Sequence, residues 1–542
     1  MQARLFKILF LIFFVFNIGL GSFGLAETSE ARYAQISKEM VTSGDYLHPT
    51  LMGIKHLHKP PFTYYITSLG YNIFGINEFG ARFFLGIALL LQIYLVYRIA
   101  LLLFKDEKRA FASALIYSSF PIVLIAVRNL TTDAFLATFI LWSIYLWLQY
   151  KHLKKIQFLY GFFAVLGLAF FTKGPVGLIP PFFLIICWNY FNREKIKITI
   201  HLFLGILLML AISSSWFIAI IIDDPKIWDY FIQEQIINRA TNAQQFHRTQ
   251  PFWYYLALIP ALGMPWIIFI IAFLLKKHKQ VWKESVINKT LILATLSLLI
   301  LFSFFSSKLI LYILPIFPFL AILGAHLLYK FSGNQLKWFS RVYYVLFGIL
   351  IVGLIVSQFI SNIEVPLFLS LLLIAIILGC CVFFIKFDKA EVSSKLLNLG
   401  FSFVLVLLLI HTVFASNNAA TINSFKEIAE FIQEEKGKDL KSVLVYDCLL
   451  PSASFYLNSE VTTVRVNNYK TIRETQFEKD TLYKKNYIDI NIPTELEKFK
   501  KEFEQEDIVF IERKKSPISD SLSYLLQTFT HKVEKDKWII YY

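Results

Sequence analysis

Long apolar windows recur along the first three quarters of this 542-residue chain. A helix needs about twenty mainly apolar residues to cross the ~30 Å hydrocarbon core of a bilayer. Only 17% of the residues are charged and 56% are hydrophobic, whereas about 25% are charged in an ordinary soluble domain. The sequence therefore predicts a polytopic α-helical membrane protein. We count about thirteen windows of this length, near residues 5–25, 81–104, 110–127, 134–150, 156–171, 175–192, 199–222, 252–275, 290–305, 309–329, 342–360, 365–385 and 396–415.

The net charge of +15 is concentrated in the apolar part of the chain. Residues 417–542 carry 19 basic and 21 acidic residues, whereas the first 416 carry 34 basic and 17 acidic residues. Loops rich in Lys and Arg stay on the cytoplasmic side of a membrane. The pattern predicts a multi-pass protein of the cytoplasmic (inner) membrane, with its N-terminus inside and its C-terminus outside, in contact with membrane lipids and no nucleic acid. The segments that hold 22 of these basic residues are the N-terminus with Arg4 and Lys7, and residues 105–109, 151–155, 193–197, 276–289, 330–341 and 386–395.

The first apolar run, which ends near Ala26, has two interpretations. It resembles the apolar core of a signal peptide that would be cleaved. We expect instead that it is retained as a span, because its removal would leave the next segment without an N-terminal tether.

We predict two domains, a transmembrane domain over residues 1–416 and a C-terminal periplasmic α/β domain over residues 417–542. Two external segments interrupt the first domain: residues 26–80, with amphipathic helices lying in the membrane interface, and residues 223–250. Alternating strands and helices indicate the α/β class of the second domain. Its predicted elements are a helix at 423–435, strands at 442–447, 461–465 and 508–512, helices at 452–458 and 516–527, and a hairpin at 530–541.

Three external carboxylates are candidates for chemistry. Glu27 and Glu30 directly follow the first span, and Asp133 lies at the external start of another. A carboxylate near lipid is costly unless it has a partner, and such a group can act as a general base. The alternative is helix capping, with Thr28 or Ser29 at the first helix and Asp133 at its own span.

Cationic side chains also occur outside, where the topology rule disfavours them. Four lie on turns next to Pro, Gly or Ser, namely Lys59, Lys173, Arg248 and Lys308. Each could be an anchor at the membrane surface. Together with Arg32, they indicate convergence on an anionic group such as a lipid phosphate or pyrophosphate.

Histidines in the external segments raise the possibility of a divalent metal. His56, His58 and His247 could supply nitrogen ligands, with Glu234 or Glu27 as oxygen donors. Their spacing is not diagnostic. No cofactor is predicted with certainty, and His58 is the tentative metal ligand.

Seven short motifs occur along the chain in the same order as in a known protein family. With them, the chain resembles the GT-C membrane glycosyltransferases, specifically the bacterial aminoarabinose-transferase and protein mannosyltransferase-like family. Relatives often have Glu where this chain has His58, and His where it has Gln235. The motifs are Ser29–Met40, His58–Tyr65, Arg128–Asp133, Thr172–Pro175, Glu234–Arg239, Pro251–Tyr254 and Ser307–Pro315.

The resemblance implies an inverting transfer of a sugar, such as 4-amino-4-deoxy-L-arabinose, from an undecaprenyl-phosphate carrier to an extracytoplasmic acceptor. Lipid A is the expected acceptor; a protein O-mannosyltransferase-like enzyme with a protein or glycan acceptor is the alternative. A polyprenol-linked glycan transporter (flippase) is an alternative from another class. The resemblance implies that the catalytic acids are Glu27, Glu30 and Asp133, that the donor phosphate binds Arg32, Lys59, Lys173, Arg248 and Lys308, and that Tyr33, Tyr64, Arg128, Glu234, Arg239 and Tyr312 position the substrate.

Overall fold

The structure, a computed structural model, is described for residues 2–232, 249–437, 440, 442–457, 459–468, 471, 474–475, 477, 486–504 and 507–542. It divides into two compact units. The first unit comprises Met1–Leu20, Lys59–Thr63 and Phe83–Phe414. The second comprises Gly21–His58, Tyr64–Arg82 and Ala415–Tyr542, so most of the segment predicted to be external and the C-terminal segment share one unit.

Helices dominate the chain up to residue 417. They form because long apolar stretches in lipid can satisfy their backbone hydrogen bonds only internally. The α-helices are Gln2–Asn17, Ser29–Ser43, Phe62–Phe74, Glu78–Phe104, Glu107–Ser118, Pro121–Val127, Thr132–Leu153, Ile156–Lys173, Ile179–Asn192, Ile200–Asp223, Ile227–Tyr230, Tyr254–Leu262, Trp266–Glu284, Val286–Phe304, Phe317–Leu328, Gly333–Val356, Leu367–Val382 and Val392–Asn417, with 3₁₀ turns at Pro175–Gly177, Ile310–Ile316 and Ser357–Phe359 and a π turn at Phe383–Phe387.

Among the described residues, eight helices are long and apolar enough to cross a membrane, and two bent helix pairs raise the number to ten. The predicted class, a multi-pass helical membrane protein, is confirmed. The number is smaller than the predicted thirteen. Gln2–Asn17 and Ile179–Asn192 have only 16 and 14 residues, and the 22 residues of Thr132–Leu153 include Asp133 and Lys151, which lower its hydropathy.

The two bent pairs have a common cause. Glu107–Ser118 and Pro121–Val127 meet at 62°, and Tyr254–Leu262 and Trp266–Glu284 meet at 114°. A proline follows each break, at Pro121 and at Pro265. Because proline lacks the backbone N–H and clashes with the preceding turn, a helix cannot continue through it undisturbed.

The second unit contains two β-sheets. A hairpin pairs β1 (Thr50–Leu51) with β2 (Ile54–Lys55). A six-stranded sheet has the order β5-β4-β3-β6-β8-β7, in which β3 to β6 are parallel and β7 and β8 antiparallel. The predicted C-terminal sheet is thus confirmed. The elements are β3 (Ser442–Tyr446), β4 (Glu460–Arg465), β5 (Tyr487–Asp489), β6 (Ile508–Arg513), β7 (Lys532–Lys535) and β8 (Trp538–Tyr541), with helices at Lys426–Lys436, Pro451–Tyr456 and Pro493–Glu502 and a 3₁₀ turn at Ser523–Thr528.

Alternate residues of β3 point to opposite faces of this sheet, as the strand period of two requires. Val443 and Val445 pack in one cluster with Ile36 and Met40 of the helix Ser29–Ser43. Burying each such side chain contributes roughly 1.5–3 kcal/mol. This helix from the first external segment therefore buries an apolar face against the sheet, while its predicted location in the membrane interface stays a prediction.

The other face of the sheet has its own core. Leu444 and Tyr446 pack there with Phe510 of β6 and with Phe499 of the helix Pro493–Glu502. Both faces of the central parallel strands are covered, which explains why β3 and β6 are almost continuously apolar.

Candidate active site

A cavity of about 240 Å³ lies in the first unit. Most of its wall is apolar, and its polar part consists of Asp133, two lysines and a tyrosine. We call it the Asp133 cavity. Its lining residues are Lys59, Asp133, Leu136, Lys173, Pro175, Val176, Phe302, Phe305, Leu311, Tyr312, Leu314 and Pro315.

Asp133 is the second residue of the helix Thr132–Leu153. Thr131 caps this helix, because its hydroxyl oxygen accepts the backbone N–H of Asp133 at 3.4 Å. The alternative that Asp133 is itself the cap is therefore wrong. The Gln92 amide donates to the carbonyl oxygen of Ala134 at 2.8 Å and to the hydroxyl of Thr138 at 3.0 Å, so the first turn is held in place. The Thr131 hydroxyl also donates to Asp133 Oδ2 at 3.3 Å.

Lys173 ends the neighbouring helix Ile156–Lys173. Gly174 follows with a φ of 77°, a left-handed conformation that glycine adopts at little cost at a helix end. This geometry brings Lys173 Nζ to 2.5 Å from Asp133 Oδ1 and to 4.4 Å from the centroid of the Tyr312 ring. An ammonium group has three N–H donors and carries a positive charge, so Lys173 places both a donor and a cation on the wall of the cavity.

The other predicted residues of this unit have different surroundings. Lys59 is half-buried and lines the same cavity. Lys308 Nζ donates to the carbonyl oxygen of Gln250 at 2.7 Å, and burial lowers the pKa of Lys308. The guanidinium of Arg128 is buried 4.7 Å from the centroid of the Phe16 ring. The remaining predicted residues, Glu234, Arg239 and Arg248, lie outside the described residues, as does His247.

Glu30, in the second unit, is engaged in a buried ion pair with Arg82. Arg82 Nε donates to Oε1 at 2.8 Å and Nη2 donates to Oε2 at 2.9 Å. The backbone N–H of Ala26 donates to Oε2 at 2.9 Å. Arg82 is 0% exposed and also donates to the carbonyl oxygens of Phe23 and Gly24. Both oxygens of Glu30 are thus occupied, and these contacts favour a structural role for it over a chemical one.

The sequence did not indicate Arg82 as a functional residue. Arg82 falls inside the predicted span 81–104, and the apolar window alone does not set it apart from the other residues of that span. The signal that could have drawn attention to it is an arginine near the start of an apolar helix, where a buried charge requires a partner.

Glu27 is held less completely. The backbone N–H of Ser452 donates to its Oε1 at 2.8 Å. Its Oε2 is inaccessible to solvent and has no hydrogen-bond partner among the described residues. Burial raises the pKa of Glu27, against the opposing effects of Ser452 and Arg32. Thr28, the proposed cap, makes no side-chain hydrogen bond at the start of the helix Ser29–Ser43.

Arg32 binds a carboxylate that the sequence did not indicate. Its Nη1 donates to Glu474 Oε1 at 2.8 Å. The imidazoles of His56 and His58 lie beside the other oxygen of Glu474, and all three side chains are buried. The two predicted tyrosines, Tyr33 and Tyr64, contact each other with ring centroids 5.3 Å apart.

Sequence comparison finds proteins that this chain resembles. Residues 58–218 match the family model described as dolichyl-phosphate-mannose-protein mannosyltransferase. An undecaprenyl phosphate-alpha-4-amino-4-deoxy-L-arabinose arabinosyl transferase of Pseudomonas fluorescens is 31% identical over 328 residues, which cover 58% of this chain and 54% of that protein. An enzyme of the same name from Aeromonas hydrophila is 32% identical over 329 residues, 58% of each chain. The chain thus spans between half and three fifths of the length of these relatives.

Structural comparison covers the whole chain. The crystal structure of ArnT from Cupriavidus metallidurans bound to undecaprenyl phosphate superposes with a TM-score of 0.77 at 19% identity, covering 100% of this chain and 98% of that one. The apo form of the same protein gives a TM-score of 0.76. The fold is therefore the one seen in ArnT. Together with the sequence matches, it confirms the predicted resemblance to the aminoarabinose-transferase and protein mannosyltransferase-like family.

Proposed function

We propose that this protein transfers 4-amino-4-deoxy-L-arabinose from an undecaprenyl-phosphate carrier to lipid A. The relatives named above act on undecaprenyl phosphate-alpha-4-amino-4-deoxy-L-arabinose according to their names. The observation that carries the proposal is the Asp133 cavity, which combines an apolar wall with two ammonium groups and one carboxylate. A phosphate attached to a prenyl chain has the matching chemistry, because it joins an anionic group to an apolar tail.

In this proposal the reaction is a direct displacement at the anomeric carbon. The acceptor oxygen forms a bond to that carbon while the bond from the carbon to the donor phosphate oxygen breaks. The electron pair of the broken bond stays on undecaprenyl phosphate, which leaves with an added negative charge. Lys173 and Lys59 stabilise that charge as it develops, which is where preorganised electrostatics lowers a barrier most.

The role of Asp133 depends on the acceptor. A phosphate group of lipid A is already ionised and attacks without a general base. Asp133 then orients Lys173 and the ammonium group of the aminosugar by charge. If the acceptor is a hydroxyl group, a carboxylate takes its proton as it attacks.

The distribution of basic residues supports an orientation for this reaction. The segments between spans that are rich in Lys and Arg favour the cytoplasmic side. We infer that the N-terminus is cytoplasmic and that the C-terminal segment lies outside the cytoplasmic membrane. Both the lipid-linked sugar and lipid A would then be reached from the external side.

The test uses the purified full chain in lipid nanodiscs with radiolabelled undecaprenyl-phosphate-linked aminoarabinose. We expect transfer of label to lipid A and release of undecaprenyl phosphate. The same protein in sealed vesicles provides the second arm of the test. Movement of the intact donor across the vesicle membrane, with no release of undecaprenyl phosphate, would overturn the proposal in favour of a transporter.

A protein acceptor is the second candidate, because the matching family model is described as a protein mannosyltransferase. The same assay distinguishes the two. Label appearing on a Ser- and Thr-containing peptide from undecaprenyl-phosphate-linked mannose, with none on lipid A, would establish this alternative.

A further inference from the structure

Two histidines and one glutamate of the second unit converge in its interior. His56, His58 and Glu474 each offer one ligating atom, and these atoms all lie within 4.8 Å of one another. We call them the Glu474 cluster. Among the described residues, it is the one group of three His, Cys, Asp or Glu side chains placed to hold a metal ion.

The hairpin β1–β2 presents the two histidines. Met52 and Gly53 form its two-residue turn, with φ values of 54° and 77°, as a tight hairpin turn requires. The carboxylate of Glu39 fixes this turn by accepting the backbone N–H of Met52 at 2.6 Å and that of Gly53 at 3.2 Å. The imidazole rings of His56 and His58 contact each other edge-on after β2, with ring centroids 4.5 Å apart. The two imidazoles therefore lie side by side.

Glu474 approaches from the C-terminal segment. Its Oε2 lies 3.2 Å from His56 Nδ1 and 3.4 Å from His58 Nε2. Zinc binds histidine nitrogen and carboxylate oxygen at about 2.0–2.1 Å in a tetrahedron, whose corners are then about 3.3 Å apart. These two separations are close to that spacing, and the ligating nitrogens of the two histidines lie within 4.8 Å of each other. A single ion could therefore contact all three groups with little rearrangement of the side chains.

The surroundings of the cluster also suit a metal. The side chains are buried, with exposures of 2% for His56, 6% for His58 and 7% for Glu474. Arg32 donates to the other oxygen of Glu474 at 2.8 Å, and metal-bound carboxylates are commonly oriented by such a hydrogen bond. Arg32 already balances the negative charge of Glu474. The positive charge of a bound cation would therefore be balanced by a fourth ligand that is anionic.

We propose that His56, His58 and Glu474 form a binding site for a divalent transition-metal ion, with zinc as the preferred ion. Two imidazoles and one carboxylate are a donor set that zinc uses with a fourth position left open. The ion would join the first external segment to the C-terminal segment within the second unit. Removal of the ion would therefore weaken the contact between these two segments.

The alternative is a purely hydrogen-bonded cluster, in which a protonated imidazole donates to Glu474. Burial would raise the pKa of Glu474, but Arg32 and then His56 and His58 outweigh burial and hold that pKa well below its ordinary range. Both arrangements keep the carboxylate ionised. Metal content distinguishes them directly.

The experiment measures zinc in the full chain, purified in lipid nanodiscs, incubated with zinc chloride and then freed of unbound ion. We expect about one equivalent per chain for a site of this type, and a loss of at least about tenfold in affinity for His56→Ala, His58→Ala and Glu474→Gln. His48→Ala is the matched control, because His48 is in the same segment but pairs with Asp45. It should retain the wild-type stoichiometry.

Two further readouts remain valid if a variant fails to fold. Cobalt bound to the wild-type chain should give the visible absorption of a tetrahedral complex. A chelator should lower the unfolding midpoint of the wild-type chain, and zinc should restore it. Wild-type protein that binds no zinc, or cluster variants that bind zinc as the wild type does, would overturn the proposal.

Discussion

The two units each contain a carboxylate paired with a cation near the start of a helix, and the two pairs differ in what surrounds them. Glu30 and Arg82 are sealed in the second unit, where both oxygens of Glu30 are occupied. Asp133 and Lys173 of the first unit line a cavity. A buried pair with every site filled holds a fold together, whereas a pair on a cavity wall can exchange contacts with a ligand. We therefore infer a stabilising role for the first pair and propose a chemical role for the second.

The largest expected effect is on the sealed pair. Arg82→Met should lower the free energy of unfolding by about 3–5 kcal/mol, because removal of one partner leaves a buried charge uncompensated. Denaturant titration of the full chain measures this. Arg98→Met is the matched control on the same helix. Arg98 donates to the Tyr94 hydroxyl at 2.6 Å and contacts the faces of Tyr94 and Tyr145, so a smaller loss of about 1–2 kcal/mol is expected there. Equal losses in both variants would contradict the structural role of the Glu30–Arg82 pair.

The next effect concerns turnover. Asp133→Asn should lower the rate of sugar transfer by about 10²- to 10³-fold, because the variant loses the charge that orients Lys173 and the substrate. The unfolding midpoint should change little. The exposed Asp520 provides the control, and Asp520→Asn should transfer sugar at the wild-type rate. Wild-type turnover in Asp133→Asn would remove Asp133 from the reaction.

The smallest effect is a pH dependence of stability from Glu27. Burial raises the pKa of this carboxyl above its ordinary value of 4.5. Its contribution to stability is therefore fully present below pH 4.5 and is lost as the pH rises through the folded-state pKa. Glu27→Gln should melt about 2–4 °C above the wild type at pH 7 and together with it below pH 4.5. The exposed Glu434→Gln should show no such divergence, and parallel wild-type and Glu27→Gln curves would contradict the raised pKa.

The membrane class and the C-terminal sheet were predictable because both rest on local patterns. Apolar windows and alternating strands are visible in short stretches, and β3, β4 and β6 lie where the sequence places them. The helix predicted at 516–527 is wrong over most of its length, since only a 3₁₀ turn at Ser523–Thr528 forms. Ser516 and Pro517 at its start explain this, because serine competes for backbone hydrogen bonds and proline removes one.

The partners of the site residues were harder to predict, because they depend on contacts between distant segments. Glu474 reaches Arg32 across 442 positions of sequence, and no spacing rule connects the two. Arg82 reaches Glu30 across 52 positions. The motif residues Asp133, Lys173, Lys59 and Tyr312 were predicted individually, and the structure brings them to one cavity. Their predicted roles stay predictions until they are tested.

The most direct test of the account is the release of undecaprenyl phosphate by Lys173→Met. Single-turnover release from the labelled donor should fall at least about 10²-fold relative to wild type, while Lys173→Arg should keep part of the rate because it retains the charge. The exposed Lys226→Met serves as the matched control and should release at the wild-type rate. Release by Lys173→Met at the wild-type rate would contradict the claim that the Asp133 cavity stabilises the departing phosphate.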